Sequence, residues 1–106
     1  MNNFSDMLSK AKAMQEKMKE AQDLIKNIEV EGMSGGNLVK VILTGDYEIK
    51  SIEITEAAKK ENQEIINDLI IAAYNSAKEN LKKRSAEELS KVTGGLNLPS
   101  DFKLPF

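Results

Sequence analysis

Cysteine, histidine and tryptophan are all missing from the 106 residues. Without cysteine there can be no disulfide, no thiolate metal site and no thiol nucleophile. Without histidine the usual general base, proton shuttle and metal ligand are gone as well. Two tyrosines and three phenylalanines are too few to form a platform on which bases stack. Apolar runs near the roughly 20 residues of a membrane span are absent too, and Met1–Met14 has no apolar core of the kind a secretion signal needs. No membrane partner is expected, and a cytoplasmic location of bacterial type fits best.

Charged residues make up 30% of the chain and hydrophobic ones 41%, the balance of a folded domain rather than a disordered segment. The length suits a single domain, 1–106, with a modest core that is open to help from a partner. The net charge of −2 has the wrong sign for a simple nucleic-acid glove. How the 15 basic residues are distributed therefore matters more than their number.

Residues 4–27 carry the clearest pattern. Phe4, Ala11, Met18 and Ile25 recur every seven residues, and Met7, Met14, Ala21 and Ile28 repeat three places later. This a/d register predicts a helix of roughly 36 Å whose narrow seam, rich in Met and Ala, calls for a second helix.

Strand chemistry takes over from 28 to 54. Ile28–Glu31 alternates, Leu38–Leu43 is β-branched and nearly continuous, and Ile49–Ile54 alternates again. A change of parity between Ile49 and Ile52 predicts a bulge. The glycines of VEGMSGGNLVKV run from strand to strand, with no Gly-Lys-Ser/Thr after them, so they predict a hairpin rather than a phosphate loop. Thr44-Gly45-Asp46-Tyr47-Glu48 provides the second turn of a three-stranded antiparallel meander.

Asn62 is placed to cap a second long helix, 62–93, of about 46 Å. Its apolar part, Ile65–Ala77, can cover the sheet. Its polar part, from about Lys78, outruns a strand of about 20 Å and must project, with the first helix as its partner. Gly94-Gly95 ends that helix, and an extended apolar tail, 96–106, follows. The fold class is therefore α+β: a long N-terminal helix, a three-stranded meander and a long C-terminal helix. The second strand is apolar on both faces, so a second copy packing sheet on sheet through Val39, Val41 and Leu43 is expected, giving a homodimer with two arms.

Chemistry-bearing groups are few. Asp46 and Glu48 could clamp a metal, yet turn carboxylates are mostly solvated, and no pair stands at a catalytic spacing. No enzyme activity, catalytic residue, cofactor, metal site or small-molecule substrate is expected. The lysines are more informative. In the heptad register Lys12, Lys19 and Lys26 occupy one flank of the seam and Lys10 and Lys17 the other, while Lys78 and the run Lys82-Lys83-Arg84 lie on the projecting part of the second helix. Lys10, Lys12, Lys17, Lys19, Lys78, Lys82, Lys83 and Arg84 are the candidate contacts to a phosphate backbone.

Taken in order, Gly32-Met33-Ser34-Gly35-Gly36 leading into Val39-Lys40-Val41, then Ile52-Glu53-Ile54, then the run from Asp68 to Ala77 (DLIIAAYNSA), then Gly94-Gly95-Leu96 and the ending Phe102-Lys103-Leu104-Pro105-Phe106 resemble the YbaB/EbfC family of small bacterial nucleoid-associated proteins. The resemblance covers nearly the whole chain. It implies a tweezer-like homodimer that binds double-stranded DNA with little sequence demand through helical arms, in the nucleoid, and shapes nucleoid organisation or gene expression. The alternative is a protein–protein adaptor that holds a partner helix between the same arms without touching DNA.

Overall fold

The structure, a computed structural model, describes residues 3–92. Its elements in chain order are α1 (Asn3–Lys26), β1 (Glu29–Ser34), β2 (Val39–Thr44), β3 (Ile49–Ile54), the short α2 (Glu56–Lys59) and α3 (Gln63–Val92). The strands form one antiparallel sheet in the order β1-β2-β3. This is the α+β arrangement read from the sequence, with one addition. α2 had no hydrophobic period to announce it; Thr55 caps it by accepting a hydrogen bond from the Ala58 amide.

Both turns form where the turn residues stand. Gly35, Gly36 and Asn37 all take positive φ between β1 and β2, a conformation that suits glycine and asparagine. The VEGMSGGNLVKV stretch is thus a hairpin. In the second turn Thr44 donates its amide to the Glu48 carbonyl, and its side-chain oxygen accepts from the amides of Asp46 and Glu48. The parity change in β3 is resolved by a register shift: Ile42 faces Ser51 while Leu43 faces Ile49, so Lys50 is the extra residue. Ile49, Ile52 and Ile54 consequently share one face.

α3 lies across that face. Val39, Val41 and Leu43 are fully buried beneath it together with Ala73, Ala77 and Leu81. Their placement corrects the expected self-association surface, because these three side chains belong to the chain's own core and offer nothing to a second copy. The opposite face of β2 is not bare either. Lys40 on that face reaches Glu53 at 2.9 Å and Glu31 at 3.6 Å, and Lys50 reaches Glu29 at 2.6 Å, so half-buried Ile42 sits among ion pairs. Lys40, within β2, marks this face as polar, and its acidic partners come from the neighbouring strands.

The cover extends further along α3 than its apolar density suggested. Leu81, not Ala77, is the last residue of α3 in the main core. α3 is held to β1 by the Ser34 hydroxyl, which donates to the Leu69 carbonyl, and by the Asn80 amide, which donates to the Glu31 carbonyl. Asn62 caps its start by accepting from the Ile65 amide.

Beyond Leu81, α3 leaves the sheet and α1 becomes its partner. Ile25 shares the core with Leu81, and Gly45 in the second turn packs against the Ile25 carbonyl, fixing the end of α1 to the body. Ala21 and Leu89 are buried further out, while Met14 and Met18 are half-buried. The two helices thus run antiparallel as an arm, and the molecule is 73 Å long but only 23 by 17 Å across.

Candidate nucleic-acid interface

The arm and the body differ in charge. α1 carries Lys10, Lys12, Lys17, Lys19 and Lys26 against Asp6, Glu16, Glu20 and Asp23. The projecting part of α3 carries Lys78, Lys82, Lys83, Arg84 and Lys91 against Glu79, Glu87 and Glu88. Residues 27–77, by contrast, hold four basic residues and nine acidic ones. The chain is acidic as a whole, yet the arm is net positive.

The heptad spacing sets the lysines of α1 in rows. Lys12, Lys19 and Lys26 follow one another at about 10 Å along one flank, and Lys10 and Lys17 line the other. All five are exposed. Among the described residues none of them is engaged in an ion pair, and the same holds for Lys78 and Lys83. Their charge is therefore available to an outside anion. Lys26 stands in the same row as Lys12 and Lys19 and belongs with the candidates; the heptad position it occupies was the signal for including it.

The basic run of α3 is less unified than it looks in sequence. Successive residues of a helix point about 100° apart, so Lys82, Lys83 and Arg84 face three directions. Lys78 and Lys82, one turn apart, share a face. Lys82 is paired with Glu79 at 3.6 Å and Arg84 with Glu88 at 3.4 Å. Glu88, which also takes Lys91 at 3.5 Å, is mostly buried at the side chain and holds both cations to the arm. The structure therefore leaves the α1 rows exposed and unpaired, sets Lys78 and Lys82 on one face of α3, and pairs Arg84 with Glu88.

Exposed lysines on a rigid helix suit a phosphate backbone. Each can meet a phosphate without being desolvated first, and the contact carries no base information. The turn carboxylates Asp46 and Glu48 are exposed, and among the described residues no group of three acidic side chains is gathered as a metal site would require. Among the described residues no helix is long and apolar enough to cross a membrane.

Comparison with known proteins points the same way. The chain is 43% identical over its full length to 99% of a nucleoid-associated protein of Bartonella bacilliformis. It is also 43% identical to one of Rickettsia typhi and 41% identical to one of Granulibacter bethesdensis, covering all of both chains in each case. The sequence pattern of the YbaB/EbfC DNA-binding family matches residues 1–96. With that match and relatives above 40% identical over the full length, the chain belongs to the YbaB/EbfC DNA-binding family.

Proposed function

We propose that the chain is a nucleoid-associated protein that holds duplex DNA with low sequence specificity, as a homodimer whose α1/α3 arms contact the phosphate backbone, and so affects nucleoid organisation or gene expression. The observation that carries this reading is the segregation of charge. A positive arm projecting from a negative body directs a polyanion to the arm and repels it elsewhere. The relatives, named for the nucleoid, support DNA as the polyanion.

Self-association is assigned to the free edge of the sheet. The β1 edge is partly closed, because Asn80 donates to the Glu31 carbonyl. The β3 edge has no neighbour within the chain. Along it Ile49 and Ile52 lie on the α3 side of the sheet yet remain 48% and 42% exposed, with Tyr47 exposed at its start. A second copy that aligns its own β3 antiparallel would continue the sheet, set Ile52 against Ile52 near the twofold axis and shelter these side chains.

Titration of two unrelated duplexes of equal length, each at low and moderate salt, tests the DNA reading. Similar affinities for both sequences and a steep loss with salt are expected. An affinity that ignores salt, or one duplex bound far more tightly than the other, would overturn it.

A further inference from the structure

The arm has two faces, and the charges of α1 and α3 are divided unequally between them. Seen from one end, antiparallel helices turn in opposite senses. Residues one place after a seam position on α1 therefore share a face with residues one place after a seam position on α3, and residues one place before share the other. On α1 the seam runs through Ala11, Met14, Met18, Ala21 and Ile25, so Lys12, Lys19 and Lys26 all follow it while Lys10, Lys17 and Leu24 precede it. On α3 the seam runs through Leu81, Ser85 and Glu88, so Lys82 and Ala86 follow it while Arg84 precedes it. Lys12, Lys19, Lys26 and Lys82 thus look out from one face, with Lys78 one turn before Lys82. The acid beside them is Glu79, 3.6 Å from Lys82 in an exposed pair that holds little energy.

We propose that duplex DNA lies across this one face of the arm, spanning both helices, and that Lys10, Lys17 and Arg84 stay out of contact with it. The assignment rests on the DNA reading and narrows it to a surface. The opposite face is a poor alternative for three reasons. Its cations are balanced, because Asp6, Glu20 and Glu87 precede seam positions as Lys10 and Lys17 do, and Glu88 takes both Arg84 and Lys91. Leu24 stands among them, 45% exposed, and an apolar side chain offers a phosphate nothing. The sheet also lies on that side: Asn80, one turn before Arg84, donates to the Glu31 carbonyl. A polyanion arriving there meets the acidic body, whereas the lysine face is turned away from it. On the lysine face Lys12, Lys19 and Lys26 are exposed and, among the described residues, in no ion pair, so a phosphate can take them without breaking one.

Two double variants of the full chain make the same change of charge on opposite flanks of α1. Lys19→Glu/Lys26→Glu should lose most of the affinity for a duplex of random sequence, with a salt slope shallower by about 2. Lys10→Glu/Lys17→Glu should keep the parent's slope and nearly its affinity, and both should keep its helical circular dichroism. The absence of cysteine allows a second readout that leaves every charge in place. Ala86→Cys carrying a photoreactive group should crosslink to the duplex, while Leu24→Cys carrying the same group should not. Equal losses in the two charge variants, or equal crosslinking from the two cysteines, would overturn the single face and leave the DNA reading standing. An unaltered chain that fails to bind the duplex would remove both.

Discussion

Gly32 on β1 and Ala77 on α3 meet backbone to backbone. A Cβ at position 32 would overlap the Ala77 nitrogen and the Ala73 carbonyl oxygen, neither of which can rotate away. The missing side chain is what lets the helix lie on the first strand. Gly32→Ala is therefore expected to cost about 3 kcal/mol, the upper end of the usual range for overpacking. Gly36→Ala, at a positive φ with open space around it, should cost only about 1 kcal/mol, the strain of a left-handed residue. Urea unfolding of both variants checks the order.

Leu81 and Leu89 divide the long helix into body and arm. Leu81 is fully buried in the main core, whereas Leu89 is buried outside it, in the part of α3 that pairs with α1. Leu81→Ala should lower global stability by about 2–5 kcal/mol. Leu89→Ala should cost less and act locally, so hydrogen exchange ought to show lost protection in the arm while the strands keep theirs.

Much of this was legible in the sequence, for identifiable reasons. The first helix was written in a period of 3.5, the second in an N-cap and recurring apolar residues, the strands in alternating or β-branched runs, the first hairpin in its glycines and asparagine, and the bulge at Lys50 in a broken alternation. What could not be read was which face of β2 a neighbour would cover. Ile42 made the side opposite Val39, Val41 and Leu43 look apolar, although Lys40 and Thr44 share that side and Lys40 is paired there with Glu31 and Glu53. Nor could the run Lys82-Lys83-Arg84 reveal that Glu88 already holds the arginine. The lysine rows of α1, by contrast, followed directly from the heptad.

Ile52 tests the free edge of β3. Ile52→Lys places a charge where a second copy would put its own Ile52, while leaving the core of the chain untouched because the residue is 42% exposed. Sedimentation should show the parent as a dimer and the variant as a single chain with an unchanged helical spectrum. Ile42→Lys, on the ion-paired face, should leave the mass as it was.

Lys40 gives the sheet a pH signature. Its hydrogen bond with Glu53, then the charges of Glu31 and Glu53, hold its ammonium above the ordinary value of 10.5. A raised pKa in the folded state adds stability that is fully present below the unfolded value and is lost as pH rises through the folded one. Lys40→Met should thus lower Tm slightly near neutral pH, and the gap should shrink above pH 10.5 as the native lysine itself loses its proton.

The location of the DNA contact is tested most directly by reversing charge on the arm and on the body separately. Lys12→Glu/Lys19→Glu alters one row of α1, and Lys59→Glu/Lys60→Glu makes the same change of charge near α2. Duplex affinity measured across a salt series should fall for the arm variant, with a slope shallower by about 1 for each lysine that had met a phosphate, and should change little for the body variant. Equal losses in the two variants, or an arm variant that keeps both affinity and slope, would contradict a DNA-gripping arm.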